Sequence, residues 1–220
     1  IFFTNVGNAI YVEKSNFFKC VFVSFFNNSG IRNYGAGIMV RDCEYALILN
    51  NNFQNNSAER DGGALHFSHT GFVIILRSIF ENNIAKYHGG GAYFDFISLL
   101  VMQNCVVKSN RACKSGGLAI KSSNFISIVQ LIINNNWAHE KAGAVYIVSS
   151  QEVVAIKLSK FLSNKLCILL CQETQKVLRD NTAGIQIKRA AKILFQSTVF
   201  SNNVGGVIDI KGNSLMLMFN

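Results

Sequence analysis

Side chains able to do acid–base chemistry are few and scattered in this chain. Its 220 residues include 12 carboxylates and 4 histidines. An enzyme that cleaves polysaccharides needs carboxylates close together, so that one group donates a proton while the other activates the attacking group. At one outward strand phase the sequence predicts a column of Tyr11, Met39, His66, Asp95, Tyr146, Gln186 and Asp209. Its two carboxylates, Asp95 and Asp209, are expected on repeats several steps apart. We therefore predict that the chain is not an enzyme, with polysaccharide cleavage as the alternative.

The histidines do not form a metal-binding pattern. His66 and His69 have the spacing His-x-x-His, but no cysteine or carboxylate stands at the accompanying spacing of a zinc site. We interpret both as surface residues and predict no metal or cofactor. His88 occupies the corner position that Asp61 holds one repeat earlier. That phase would allow an ion pair across repeats, although a solvated turn is the preferred interpretation.

A repeat must position these side chains. An apolar residue followed three positions later by Asn precedes a Gly-rich cluster and a short apolar run, and the marks at Phe53, Phe80 and Val107 are 27 residues apart. Between the marks, apolar and polar residues alternate with the period of a β-strand, and no regular repeat contains a stretch of helical period. Short strands at a constant interval predict an all-β fold, a parallel β-solenoid of about eight coils of roughly 27 residues.

Two columns of side chains are expected inside this solenoid. Residues at one phase of the repeat stack on each other, so Phe53 and Phe80 would belong to an aromatic column, and the asparagines three residues later would form an amide ladder. The ladder is predicted to comprise Asn56, Asn83, Asn110, Asn136 and Asn164. We expect residues 1–220 to form a single β-helix segment, stacked against further coils of the same polypeptide.

The regular spacing breaks once, at a loop insertion predicted to cover residues 165–181. The second half of the chain, 111–220, also carries 13 Lys and Arg against 5 Asp and Glu. Insertions on solenoids commonly project from one face and bind partners. We therefore predict an interaction site for an acidic glycan or for a surface or matrix protein. Its residues would be Lys165, Lys176, Arg179, Lys188, Arg189 and Lys192.

Two other classes of partner are not expected. The basic residues are not interleaved with aromatic residues in the pattern of a known nucleic-acid-binding module, so nucleic acid is not predicted. The apolar runs are all shorter than the 18 or so residues of a transmembrane helix, so this segment is predicted to contain no membrane span.

Two Asn-x-Ser sequons begin at Asn27 and Asn55. Asn55 is one residue before the ladder position, and Asn27 has the same phase one repeat earlier, so both side chains would point outward. This placement suits glycosylation in a secreted protein. The six cysteines are even in number, as disulfides require, but they share no repeat phase. Buried free thiols are therefore at least as plausible as disulfides.

The paired Phe-x-x-Asn and Gly-Gly-Ala motifs resemble the repeats of chlamydial polymorphic membrane proteins. They are clearest at residues 53–56 with 62–64 and at 80–83 with 89–92, and the resemblance covers about residues 3–217. It implies a right-handed parallel β-helix without catalytic residues in a secreted or cell-surface protein, often adhesive. We expect a non-enzymatic structural or adhesive segment of an extracellular or cell-surface protein that binds protein or glycan. An intracellular scaffold in a cytoskeletal or ciliary assembly is the alternative.

Overall fold

The computed structural model describes residues 2–30, 34–150, 152–166, 182–212 and 215–219. This part of the chain is built from β-strands joined by short turns. In chain order the strands are β1 (Phe2–Phe3), β2 (Ile10–Val21), β3 (Ser24–Phe26), β4 (Ser29–Gly30), β5 (Ile38–Leu49), β6 (Asn52–Gln54), β7 (Ser57–Ala58), β8 (Leu65–Leu76), β9 (Ile79–Glu81), β10 (Ile84–Ala85), β11 (Ala92–Gln103), β12 (Val106–Lys108), β13 (Arg111–Ala112), β14 (Leu118–Lys121), β15 (Phe125–Val129), β16 (Ile132–Asn134), β17 (Trp137–Ala138), β18 (Val145–Val148), β19 (Val153–Lys157), β20 (Lys160–Leu162), β21 (Lys165–Leu166), β22 (Thr182–Lys188), β23 (Lys192–Gln196), β24 (Val199–Ser201), β25 (Gly206–Lys211) and β26 (Leu215–Phe219).

The strands form three parallel sheets that wind around one core. The first sheet has the order β1-β3-β6-β9-β12-β16-β20-β24, and the second runs from β4 to β21. The third sheet has 12 strands, because each of its first four rungs is a single long strand and each later rung is divided into two short ones. Eight rungs of the first sheet delimit about seven full turns, so the predicted solenoid is confirmed and the coil count of eight is corrected to seven complete turns.

Left-handed residues turn the chain at three positions of every coil. Within the described residues, the 22 non-glycine residues with positive φ fall into three columns, one between the first and second sheets, one between the third and first, and one in the middle of the third. A left-handed backbone conformation is unfavourable for most residues, but Asn tolerates it, and Asn occupies five of the eight positions in the first column. The chain contains 25 asparagines, and this recurring turn explains part of that number.

The predicted aromatic column lies at the centre of the core. Phe53 stacks on Phe25 with ring centroids 4.8 Å apart and on Phe80 at 5.1 Å, with the planes within 6° of parallel. Phe161 and Phe200 continue the column at 4.9 Å. Val107 and Ile133 fill the intervening rungs, and both are fully buried. The prediction for Phe53 and Phe80 is confirmed.

The predicted amide ladder is also present. In Asn83, Oδ1 accepts from the backbone N–H of Asn56 at 2.9 Å and from its Nδ2 at 3.0 Å. Asn83 Nδ2 donates backward to the carbonyl of Phe53 and forward to Oδ1 of Asn110, both at 3.0 Å. The same pattern runs through the predicted residues Asn136 and Asn164. Every polar atom of these fully buried amides therefore has a partner.

The ladder is longer than predicted. Asn5 donates to Asn28, Asn28 to Asn56, and Asn164 to Asn203, which extends the column at both ends. Each added residue ends a Phe-x-x-Asn motif, at Phe2, Phe25 and Phe200, so the signal was present in the sequence. The column therefore contains eight asparagines within the described residues.

The predicted insertion has a later start than the sequence indicated. Asn164 and Asn203 are 39 residues apart, whereas the preceding ladder steps are 26 to 28 residues. The ladder crosses this longer coil without losing its register. Lys165 and Leu166 form strand β21, paired with β17, so they belong to the solenoid rather than to the predicted 165–181 loop. The remainder of that loop, 167–181, lies outside the described residues.

Candidate functional site

The candidate site lies on the outward face of the third sheet, where one residue of each rung forms a vertical column. This outer column consists of Tyr11, Met39, His66, Tyr93, Ala119, Tyr146, Gln186 and Asp209. The prediction that Asp95 belongs to this column was wrong, because Tyr93 takes that position. Asp95 lies two residues farther along its strand, in register with Ser68 and Lys121.

Aromatic rings stack in the first half of the outer column. His66 stacks on Tyr93 with centroids 5.1 Å apart, and Tyr34 packs against its other side at 4.6 Å. His66 is only 4% exposed, so the prediction of a surface residue was wrong. Burial lowers the pKa of His66 to about 4 and keeps the imidazole neutral at physiological pH. His69, by contrast, is exposed and stacks on Phe96.

The stack is interrupted at Ala119. Tyr93 precedes this residue by one rung and Tyr146 follows it by one rung, so the alanine stands between two tyrosines, with Ala119 2% and Tyr93 6% exposed. A cavity of about 120 Å³ opens there. The side chains around it are His88, Tyr93, Ala119, Ile120, Lys121, Tyr146 and Val148. The cavity has room for several water molecules or for one small ring.

Two residues that line the cavity, His88 and Tyr93, bond to carboxylates behind it, and a third, Lys121, carries a positive charge. His88 Nδ1 lies 2.6 Å from Asp61 Oδ1, and the His88 backbone N–H donates to the same oxygen at 3.0 Å. The contact across repeats considered from the sequence is therefore present. Tyr93 donates its hydroxyl to Asp95 Oδ2 at 3.3 Å, while Asp95 Oδ1 is buried without a hydrogen-bond partner in the described structure. Lys121, exposed to solvent, stands on the next rung beside Asp95.

These groups are suited to binding. Burial, reinforced by the charges of Asp95 and Asp61, raises the pKa of Tyr93 far above its ordinary value, so its hydroxyl remains protonated and acts as a donor. Lys121 lines the cavity and offers an ammonium donor, whereas the unpartnered Oδ1 of Asp95 is buried behind Tyr93 and does not line it. Within the described residues, no three His, Cys, Asp or Glu side chains are grouped in a way that could hold a metal ion.

The predicted basic site is divided between faces of the solenoid. Lys165 lies on the second sheet, in register with Trp137. Lys188 ends β22, Arg189 is the left-handed residue that follows, and Lys192 begins β23, all within one rung of the third sheet. Two further members of the predicted site, Lys176 and Arg179, lie outside the described residues. An acidic partner at these residues stays a prediction.

The two sequons occupy adjacent turns. Asn27 and Asn55 have φ angles of 53° and 56°, and both side chains are exposed, whereas the ladder asparagines that follow them are buried. The Asn27 backbone N–H donates to Gln54 in the next coil, which fixes the turn. The predicted outward orientation is thus confirmed, and glycosylation itself stays a prediction.

Three of the six cysteines behave as buried apolar residues. Cys20, Cys43 and Cys105 are free thiols in the core. Burial raises the pKa of Cys20 and of Cys105 to about 11, so both stay protonated and unreactive at neutral pH. Cys113 is disulfide-bonded. Both alternatives left open by the sequence, free thiols and disulfide bonding, therefore occur in this chain.

Comparison with known proteins agrees with this architecture. A family model described as a right-handed β-helix region matches residues 3–182. No curated protein sequence and no solved structure matches the chain. The described part of the chain contains no helix with the length and hydropathy of a membrane span. The parallel rungs, the constant register and the extent of the match show that the chain belongs to the right-handed β-helix family.

Proposed function

We propose that this β-helix is a non-enzymatic structural and adhesive segment of a secreted or cell-surface protein. In this proposal the solenoid is a stiff support, and the cleft above Ala119 holds one sugar ring of a glycan. The observation that carries the proposal is the interruption of the outer column, which puts an alanine between Tyr93 and Tyr146 beside a cavity of about 120 Å³.

The spacing of the two tyrosines favours a saturated ring. Strands in a sheet are about 4.8 Å apart, so Tyr93 and Tyr146 are separated by two steps, about 9.6 Å. A flat ring between two others needs only about 7–8 Å, because carbon atoms in contact are about 3.5–4 Å apart. A puckered pyranose is thicker, since hydrogens project from both of its faces. Its C–H groups would pack on the tyrosines on either side.

The polar groups favour a neutral sugar. A sugar hydroxyl can accept from the ammonium of Lys121, and the side chains of His88 and Tyr93 stand on the same cavity. Asp61 and Asp95, which bond to His88 and Tyr93 behind the lining, would repel a sugar carboxylate. We therefore assign the cleft to a neutral hexopyranose, and we keep the acidic glycan as a proposed partner of the separate basic residues Lys188, Arg189 and Lys192.

Saturation-transfer NMR with D-glucose, D-galactose, D-mannose and N-acetyl-D-glucosamine tests the proposal, with D-glucuronate as the charged comparison. The wild-type chain is expected to bind at least one neutral sugar. Ala119→Phe should weaken that binding at least ten-fold, because the new ring fills the cleft. Gln54→Phe adds the same ring to the first sheet and is the matched control. Absence of binding to all neutral sugars, tighter binding of glucuronate, or equal binding by Ala119→Phe would overturn the proposal.

Cleavage of a bound polysaccharide is a second candidate function. It is favoured by the two carboxylates, Asp61 and Asp95, whose charges both act on Tyr93. A reducing-end assay on oligomers of whichever sugar binds distinguishes the two functions. Adhesion predicts binding without release of new reducing ends. Turnover that Asp95→Asn abolishes would establish the enzyme instead.

The proposed location is supported by the two exposed sequons and by the resemblance to chlamydial surface-protein repeats. Peptide mass spectrometry of protein from its native source tests it. Glycan on Asn27 or Asn55, together with an oxidised Cys113, is expected for the secretory route. Bare asparagines and six reduced cysteines would favour the intracellular scaffold.

A further inference from the structure

A broad apolar surface covers the second half of the third sheet, away from the cleft. Its first column, one residue per rung, includes Phe17, Tyr45, Phe72 and Phe125, which are 59%, 43%, 38% and 45% exposed. Tyr45 and Phe72 stack at 4.8 Å. We call this surface the apolar face: the outward residues of the rungs from Phe17–Val21 to β26.

The apolar face is wide as well as long. A second column, two residues farther along each strand, contains Leu47 and Ile74, and Ile74 is 36% exposed. Lysines lie toward the ends, with Lys19 on the first rung and Lys157 and Lys192 on the sixth and seventh. An apolar centre with charged residues toward its edges is the arrangement typical of a protein interface.

The dimensions of the apolar face match those of a specific interface. Eight rungs about 4.8 Å apart and five residues of about 3.3 Å give a surface of about 38 by 17 Å, roughly 600 Å². Polar positions such as Lys19, Gln103 and Ser127 take up part of this area, so its apolar part lies within the roughly 300–600 Å² of the largest apolar patch on a typical monomer. Two such faces in contact would bury about 1,200 Å², the lower bound for stable specific complexes.

The spacing between the side-chain rows of the apolar face favours one kind of partner. Its side chains form rows about 4.8 Å apart across all eight rungs, and a partner packs against every row only if its own rows have the same spacing. A helix, with a pitch of about 5.4 Å, loses this match within a few turns. An identical solenoid has the same row spacing along its whole length, so the side chains of the two faces can interdigitate as they do between two packed sheets. We propose that the apolar face binds the apolar face of a second copy of this chain.

Sedimentation equilibrium of the 220-residue chain tests the proposal. The wild type is expected to be a dimer, and Ile74→Lys should raise its dissociation constant at least ten-fold. Tyr45→Lys is a second variant on the same face, in case the first does not fold. Ile79→Lys, at a 39% exposed position on the first sheet, is the matched control. Met218→Lys, at a 58% exposed position on the last rung, reports on end-to-end association.

The possible outcomes separate this proposal from its rivals. Loss of the dimer in Ile74→Lys or Tyr45→Lys, with the two controls unchanged, supports pairing through the apolar face. A monomeric wild type at about 100 μM, or equal loss in Ile79→Lys or Met218→Lys, overturns it. Binding of the monomer to phosphatidylcholine vesicles, abolished by Ile74→Lys, would assign the face to lipid instead. Sugar binding in the cleft is independent of all these outcomes.

Discussion

The amide ladder, which is the inner column, and the outer column of the third sheet pass through the same coils but differ in regularity. Every described rung from Asn28 to Asn164 places the same fully hydrogen-bonded amide at the inner position. The outer column changes from rung to rung, from His66 and Tyr93 to Ala119 and then Tyr146. The inner column is identical because each amide must serve as both donor and acceptor for its neighbours.

The difference in regularity matches a difference in role: the inner column supports the fold, and the outer column can bind a ligand. A column whose members bond to each other gains nothing from variation, since any replacement leaves two neighbours without partners. A column on the surface is free to vary, and an irregularity in it produces a unique site on a repetitive molecule. The cleft above Ala119 is such an irregularity.

Removal of one inner amide should have the largest effect on stability. Asn83→Ala leaves the backbone N–H and Nδ2 of Asn56 and the carbonyl of Phe53 without their partners in the core. Each unsatisfied buried group costs about 1–3 kcal/mol, so we expect a loss of about 4 kcal/mol or more in urea unfolding. The adjacent exposed residue provides the control, and Asn82→Ala should cost about 1 kcal/mol. A loss below about 1 kcal/mol for Asn83→Ala would show that the amide column is dispensable.

Acid should weaken the outer column through His66. Its pKa is about 4 in the folded chain and about 6.5 when unfolded, so between these values the unfolded chain binds a proton that the folded chain does not. The stability that neutral His66 gives the folded chain is complete above pH 6.5. It is lost as the pH falls toward 4, where the free energy of unfolding is lower by up to about 3 kcal/mol.

Urea unfolding at about pH 7 and about pH 4.5 measures this loss, with His66→Phe as the comparison. The phenylalanine keeps a ring between Tyr34 and Tyr93 but does not titrate. The free energy of unfolding should therefore change less between the two pH values in His66→Phe than in the wild type, by about 2–3 kcal/mol. An equal difference in both proteins would contradict the burial of a neutral imidazole.

Filling the cleft should alter stability little. Ala119→Phe extends a stack that already exists at Tyr93, and the adjoining cavity of about 120 Å³ takes up part of the new ring although Ala119 itself is 2% exposed. We expect a change of within about 1 kcal/mol in the free energy of unfolding. If the variant loses several kcal/mol, the space above Ala119 is needed by the fold, and the contrast between supporting and binding columns fails there.

The smallest expected effect is an increase in stability. Leu158 is 54% exposed and left-handed, with φ 50°, at a turn position that Asn50 and Asn104 occupy in other coils. Asn tolerates this conformation better than Leu, so Leu158→Asn should stabilise the chain by about 0.5–1 kcal/mol. Thermal unfolding measures it, and destabilisation would show that the leucine makes a contact that compensates for its strain.

The repeat alone predicted the solenoid, because a constant interval between strands allows few other arrangements. The same interval predicted the aromatic column at Phe53 and Phe80 and five of the eight ladder asparagines. The position of Asp95 was mistaken because alternate residues of one strand all point outward, so the two-residue period did not distinguish it from Tyr93. The 27-residue interval from His66 does distinguish them.

The remaining features depend on contacts that leave no repeating signal. At the turn between the third and first sheets, successive buried residues are Asn51, Ser78, Cys105 and Leu131. Ser78 and Cys105 each donate to the carbonyl two residues earlier, at the end of the preceding strand, so this turn tolerates different residue types, and its column cannot be recognised from sequence. The cleft is likewise defined by a missing side chain, and an alanine in a strand does not reveal which rings lie above and below it.

The cavity beside Ala119 is the proposed ligand site. An NMR titration with the neutral sugar that binds best tests it most directly, using the methyl signals of Ala119 and Val148 and the ring signals of Tyr146. These signals are expected to shift with one common dissociation constant, while the methyl signal of Ala112 on the second sheet stays in place. Shifts at Ala112 or on the apolar face, with none at Ala119, would contradict the claim.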